Sequence, residues 1–194
     1  MLTTAILFQN NSYNKNVFIL FVLAFILSGC EFNCSVGKTD NGTTTKTVTS
    51  ENAGGVTGAV IKNDIELEAS DVKVSRAYLS VNNGTLLDNN VVNLKQKISC
   101  TVVADTGWTK INGKSFIGTS EKVTGSDGTV LLDAKDLFIE YDSTGLSAED
   151  AKVITISATV SSKIPGIDMY KVYFKIWDKK ANGMITGKFK FRVR

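Results

Sequence analysis

From about Val72 to the C-terminus, apolar and polar positions alternate with a period of two, the pattern of strands with one buried face. In the first such segment Val72, Val74, Arg76 and Tyr78 share one face, and Lys73, Ser75, Ala77 and Leu79 the other. Residues 96–104 alternate more cleanly, with Ile98, Cys100 and Val102 against Lys97, Ser99 and Thr101. Short strands at 108–111 and 114–116 flank Asn112-Gly113, a strong hairpin signal because both residues tolerate positive φ. A second hairpin joins 121–124 to 129–132 through Ser126-Asp127-Gly128. Residues 137–141 read as a short strand with Leu137, Ile139 and Tyr141 on one side. Residues 146–150 read as one helical turn, with Ser147 accepting from the amides that follow and acids near that end. Residues 153–161, rich in β-branched side chains, form the next strand.

The last two strands, 170–178 and 185–194, are the most regular, and Asn182-Gly183 lies between them. With those two residues as the turn, Ile176 opposes Phe189, Phe174 opposes Phe191, and Val172 opposes Val193, all on one face. The other face then pairs Trp177 with Lys188, Lys175 with Lys190, Tyr173 with Arg192, and Lys171 with Arg194. A slip of one residue would exchange the faces of one strand, so the agreement of the two patterns supports this register of the hairpin.

The one continuously apolar stretch is the eleven-residue run 17–27, preceded by a single charge, Lys15. As a helix it would rise about 16 Å, roughly half of a hydrocarbon core, which is short for a span and right for a secretory signal. It ends in Leu27-Ser28-Gly29-Cys30, which resembles the lipobox of bacterial lipoproteins. The resemblance implies cleavage after residue 29 and a diacylated Cys30 as the first residue of the mature chain, with two or three acyl chains giving a stable membrane anchor. Residues 31–58, rich in threonine and glycine, have too little apolar content to offset the entropy of ordering them and read as a flexible tether. Cys34 within it is a second acylation site, a reactive thiol or an incidental residue. The expected organisation is a signal peptide at 1–29, anchor and tether at 30–62, and one folded domain at 63–194.

About seven to nine short strands with a single proline point to an all-β, antiparallel β-sandwich. Ile98-Ser99-Cys100-Thr101-Val102, Lys122-Val123-Thr124 before Asp127-Gly128, and the final alternating pair resemble the immunoglobulin-like domains of bacterial surface lipoproteins of Bacteroidota type. An antibody-type inter-sheet disulfide is not available, because the last two strands hold no cysteine; Cys100 is expected as a small buried hydrophobe.

Composition then narrows the chemistry. The 194 residues are 43% hydrophobic and 21% charged, with a formal charge of +3, a balance that gives no electrostatic reason to expect nucleic acid. Histidine is absent, which removes the commonest general base and metal ligand, and three cysteines are too few for a disulfide scaffold or a cysteine-rich zinc site. No Ser-x-x-Lys opens a helix, and Gly-x-Ser-x-Gly and phosphate-loop patterns are missing. Asp133, Asp136, Glu140 and Asp142 are the carboxylates a hydrolase would need to pair, and solvated surface charge is the plainer account of them. Asp64, Glu66, Glu68 and Asp71 form an acidic cluster without calcium-loop spacing, suited instead to an acidic edge that deters strand pairing.

One feature asks for more. Lys171, Lys175, Lys188, Lys190, Arg192 and Arg194 gather with Tyr173 and Trp177 on the outer face of the final hairpin. Acids on a neighbouring strand, with Glu140 and Asp142 as candidates, or cation–π stacking of Lys188 on Trp177 and Arg192 on Tyr173, would relieve the repulsion. The candidate binding face is therefore Lys171, Tyr173, Lys175, Trp177, Lys188, Lys190 and Arg192, and its partner an acidic glycan, a lipopolysaccharide headgroup or an acidic protein. The expected function is a lipid-anchored envelope protein, of the outer membrane, that presents a non-catalytic binding module without metal or cofactor. A periplasm-facing accessory or immunity-type lipoprotein with a protein partner is the alternative, and a carboxylate-dependent hydrolase a distant third.

Overall fold

The structure is a computed structural model that describes residues 56–82 and 84–194. The apolar run, Cys30, Cys34 and the tether up to residue 55 lie outside the described residues. Within them the chain is all-β, with short 3-10 turns at Ile139–Tyr141 and Asp150–Lys152. The strands are β1 (Val60–Ile61), β2 (Glu66–Ser70), β3 (Lys73–Val81), β4 (Thr85–Leu86), β5 (Val91–Val92), β6 (Lys97–Thr106), β7 (Lys114–Ser115), β8 (Ile117–Gly125), β9 (Val130–Ala134), β10 (Leu146–Ser147), β11 (Val153–Thr159), β12 (Met169–Asp178) and β13 (Met184–Val193). They form a β-sandwich. One sheet runs β1-β3-β6-β11 with β4 on β3, the other runs β2-β13-β12-β8-β9 with β5 on β13, and β7 pairs β10. Pairing is antiparallel except for β1 on β3 and β5 on β13. β1 lies ahead of residue 63, inside the stretch assigned to the tether, and Val56, Ala59 and Ile61 are buried.

Each sheet buries one face. In the first, Ala77, Leu79, Ile98, Cys100, Val102, Ile154 and Ile156 point into the core, Cys100 as a free thiol with no exposure at all. The opposite face of this sheet is lined with hydroxyls: Ser99 Oγ lies 2.8 Å from Ser157 Oγ, and Thr101 Oγ1 3.3 Å from Thr155 Oγ1, across the β6–β11 ladder. In the second sheet Tyr170, Val172, Phe174, Ile176, Ile185, Phe189 and Phe191 point inward, so their neighbours on β12 and β13 point out. Tyr170 stacks on Phe191 with ring centroids 5.2 Å apart.

Four expectations need correction. In β3, alternation breaks at Ser75: Val74 pairs Ala104 and Arg76 pairs Val103, so Ser75 is an extra residue in a bulge, and its hydroxyl donates to Asp105 Oδ1 at 2.7 Å. Beyond the bulge Ala77 and Leu79 take the buried face that Val74 held before it, instead of Arg76 and Tyr78.

Residues 137–141 are not a strand. Asp136 Oδ1 accepts from the amides of Phe138 at 2.9 Å and Thr119 at 3.3 Å, which starts a 3-10 turn that buries Phe138 and leaves Ile139 out. Just after it, Leu146–Ser147 is a short strand. Ser147 Oγ does accept from an amide, that of Asp150 at 3.1 Å, but the helical turn begins at Asp150.

The final hairpin keeps its faces but not its register. Val172 opposes Phe189, Phe174 opposes Gly187, and Ile176 opposes Ile185. Asp178, rather than Asn182-Gly183, makes the connection: its amide donates to Gly183 O at 2.8 Å, and its carboxylate accepts from the amide of Lys180 at 2.8 Å. Residues 179–182 therefore form a four-residue loop. The displacement is even, so every side chain stays on its expected side.

Candidate functional site

The outer face of the second sheet is built by β8, β12 and β13, whose inward residues are fixed by the core. Alternation leaves Lys171, Tyr173, Lys175 and Trp177 outward on β12, Thr186, Lys188, Lys190 and Arg192 on β13, and Ser120, Lys122 and Thr124 on β8. The structure thus brings all seven predicted residues onto one face and adds Lys122, which lies opposite Tyr173. No outward position on these three strands is acidic. Arg192 sits at the far end, opposite Met169 and beside Val91 of β5.

The centre of the face is aromatic. Tyr173 is 41% exposed between Lys188 on one side and Lys122 on the other. Trp177 lies flat on Gly118 of β8: a Cβ there would stand 2.2 Å from Trp177 Cε2. Lys175 Nζ stands 5.7 Å from the Trp177 ring centroid, a cation–π contact along one strand. The predicted stacks of Lys188 on Trp177 and Arg192 on Tyr173 do not fit the observed register, which puts Lys188 beside Tyr173 and Met184 beside Trp177.

Neutralisation comes from the sheet edges. β2 lays Glu66 opposite Lys188 and Glu68 opposite Thr186, and Lys188 Nζ reaches Glu66 Oε2 at 2.8 Å. The hydrogen bond and charge of Glu66 hold the Lys188 ammonium above the usual lysine range. Asp133 of β9 faces Lys122 from the other edge. Glu66 and Glu68, not Glu140 and Asp142, are thus the flanking acids next to the hairpin. The acidic cluster forms an edge strand and its turns; Asp64 and Asp71 occupy left-handed turns at φ 50° and 57°. Among the described residues no three potential metal ligands converge.

Lys171 and Lys190, like Lys175 and Arg192, lie outside this pairing. The first two stand directly opposite each other, and neither makes an ion pair with a described residue. Lys171 has Thr124 on its other side. Both lysines, with Tyr173, Glu66 and Glu68, border a groove of about 950 Å³ that runs over the edge of the sheet along β2.

The hydrolase candidates resolve differently. Asp136 and Asp142 both bind Lys179, Asp136 at 2.6 Å, and the Lys179 amide donates to Phe116 O at 2.7 Å. Partial burial opposes ionisation of Asp136, but the Lys179 ammonium and two backbone amides outweigh it and hold the carboxyl below its ordinary value. Both acids are thus counter-ions in a clip that ties the final hairpin's loop to the 3-10 turn. Asp133 pairs with Lys135 at 2.8 Å.

Glu121, outside the candidate residues, is 1% exposed on the inner side of β8. The signal was present: Glu121 falls in step with Ile117, Thr119 and Val123, the register that the core selects.

No protein-family model matches the chain, and no curated protein matches it. Among solved structures, the C-terminal domain of Wzt is similar, with a TM-score of 0.43 and 10% identity, over 68% of this chain and 78% of that one.

Proposed function

We propose that the chain is a lipid-anchored cell-envelope protein whose β-sandwich is a non-catalytic binding module, and that the outer face of β8, β12 and β13 takes an acidic glycan. Leu27-Ser28-Gly29-Cys30 at the end of the apolar run supports the anchor. Cys30→Ala abolishes labelling by a fatty-acid analogue on this reading, and equal labelling of the variant contradicts it.

The observation that carries the binding reading is Lys171 opposite Lys190. Like charges directly opposed on adjacent strands cost a few tenths of a kcal/mol, and an acid at either position would turn that cost into a gain. The arrangement serves a partner that brings the acid itself. Adjacent strands set these cations roughly 5 Å apart and alternate residues of one strand roughly 7 Å apart, intervals that suit a polymer with recurring carboxylates or phosphates. Tyr173 and Trp177 add flat faces against which sugar rings stack. Among the described residues, the exposed large apolar side chains other than Tyr173 are Val60, Leu86, Ile111, Val130, Ile139 and Val153, and none of them lies on β8, β12 or β13.

The test is a titration of the full chain, in detergent, on immobilised polygalacturonate and on neutral dextran. Polygalacturonate binds, dextran does not, and affinity falls with salt. Lys190→Glu weakens binding at least tenfold while leaving the protein slightly more stable, because the new acid pairs with Lys171. Equal binding to dextran, or a Lys190→Glu variant that binds like wild type, contradicts the proposal.

A further inference from the structure

Glu121 is a buried carboxylate that neither the outer face nor the Lys179 clip uses. It lies on the core side of β8, opposite Phe174 of β12 and Ala134 of β9, and neither of its oxygens has a hydrogen-bond partner among the described residues. Thr119 Oγ1, two residues along on the same side, is also without a partner. Ser120 and Lys122, which flank Glu121 in sequence, alternate to the outer face and offer it no counter-charge.

Other elements supply little. Across the sandwich Cys100 of β6 faces it, and burial first, then the Glu121 charge, pushes that thiol far up. The inward titratable groups of β12 are Tyr170 and Asp178, each four residues from Phe174, and Asp178 is bound to the amides of Thr109 and Lys180. The inward residues of β13 and β9 near this point, Gly187, Phe189, Leu132 and Ala134, carry no charge.

We propose that Glu121 is a proton-operated latch in the core: with its proton on, it lets β8 and β9 close the sandwich, and with the proton released to solvent it drives those two strands apart. A bare carboxylate in an apolar interior is disfavoured against any state that lets water reach it, so ionisation favours opening of a small element around it. β9 is the element that can open, being an edge strand of five residues whose inward Leu132 and Ala134 are only half-buried. Burial pushes the carboxyl up to about 7, which places the latch within ordinary biological pH.

The sign follows from the raised value. Between the ordinary glutamate range and about 7 the folded state holds a proton that the unfolded state has lost. Stability from this group is therefore full at low pH and falls, by up to about tenfold per pH unit in the folding constant, as pH rises through about 7. The sequence has no histidine, so few other side chains titrate in that window.

The test uses the full chain as wild type, Glu121→Gln and Glu121→Met. Wild type loses at least tenfold in its folding constant from pH 5 to pH 8, and amides of residues 117–134 lose protection beyond the intrinsic effect of pH. Both neutral variants are flat over the same range and more stable than wild type at pH 8. The Glu121 side-chain carbon of wild type titrates near 7 by NMR. A midpoint in the ordinary carboxylate range, or a variant that keeps the wild-type slope, overturns the proposal. Should neither variant fold, the wild-type titration decides alone.

Discussion

Gly118 and Trp177 form one unit of the outer face, since the indole occupies the space that any Cβ at residue 118 would need. Gly118→Ala is expected to displace the indole, shift tryptophan emission and cost about 1–3 kcal/mol, as overpacking does. An unchanged spectrum and Tm would contradict the packing. Asp178 is a second such residue. It is buried, and its carboxylate accepts from the amides of Thr109 at 2.6 Å and Lys180 at 2.8 Å. Asp178→Ala leaves both amides without that partner and is expected to cost about 2–4 kcal/mol in a denaturation midpoint. At this scale the sequence was least legible. Nothing in the local residue types marks Gly118 as a seat for an aromatic ring or Asp178 as a loop anchor, because both roles depend on chain far away in sequence.

At the scale of elements, two Asn-Gly pairs behaved differently, and the reason is physical. Asn112 and Gly113 take φ of 51° and 76°, with Ile111 and Lys114 exchanging backbone bonds at 2.8 and 3.0 Å, the turn that the dipeptide favours. Asn182 and Gly183 do not, because Asp178 captures the loop four residues earlier. Side-chain competition overrode a correct local preference. The hairpin at Gly128 and the β11 strand followed the pattern, whereas the β3 bulge inverted it midway, which a strict period of two cannot register. The register itself is open to chemical test, because cross-strand neighbours come within disulfide reach. With Cys34 replaced by Ser, Tyr173→Cys with Lys188→Cys should crosslink on oxidation, and Tyr173→Cys with Arg192→Cys should not. The opposite result would restore the register drawn from Asn182-Gly183.

For the whole molecule, the fold class was legible because period-two alternation is a global signal that survives local errors; the even displacement of the hairpin left its two faces intact. The basic, aromatic outer face was legible for the same reason. Its flanking acids were not, since β2 joins β13 across more than a hundred residues. The two sheets depend on a shared core, so Phe174→Asp, which adds a carboxylate to a site 4% exposed, is expected to unfold the domain; a variant that melts like wild type would mean the faces are reversed. The Lys179 clip works at the same scale. Lys179→Met strips Asp136 of its cation and is expected to cost about 1–3 kcal/mol at neutral pH, where that carboxylate is ionised.

The central claim is that the outer face of the second sheet meets an acidic glycan. Its most direct test is NMR mapping of the isotope-labelled full chain during titration with oligogalacturonate. The account predicts shifts concentrated at Lys171, Tyr173, Lys175, Trp177, Lys188 and Lys190, the Trp177 indole among them, with the hydroxyl-lined face at Ser99, Thr101, Thr155 and Ser157 unmoved. Shifts on that opposite face, or none at saturating oligogalacturonate, would contradict it.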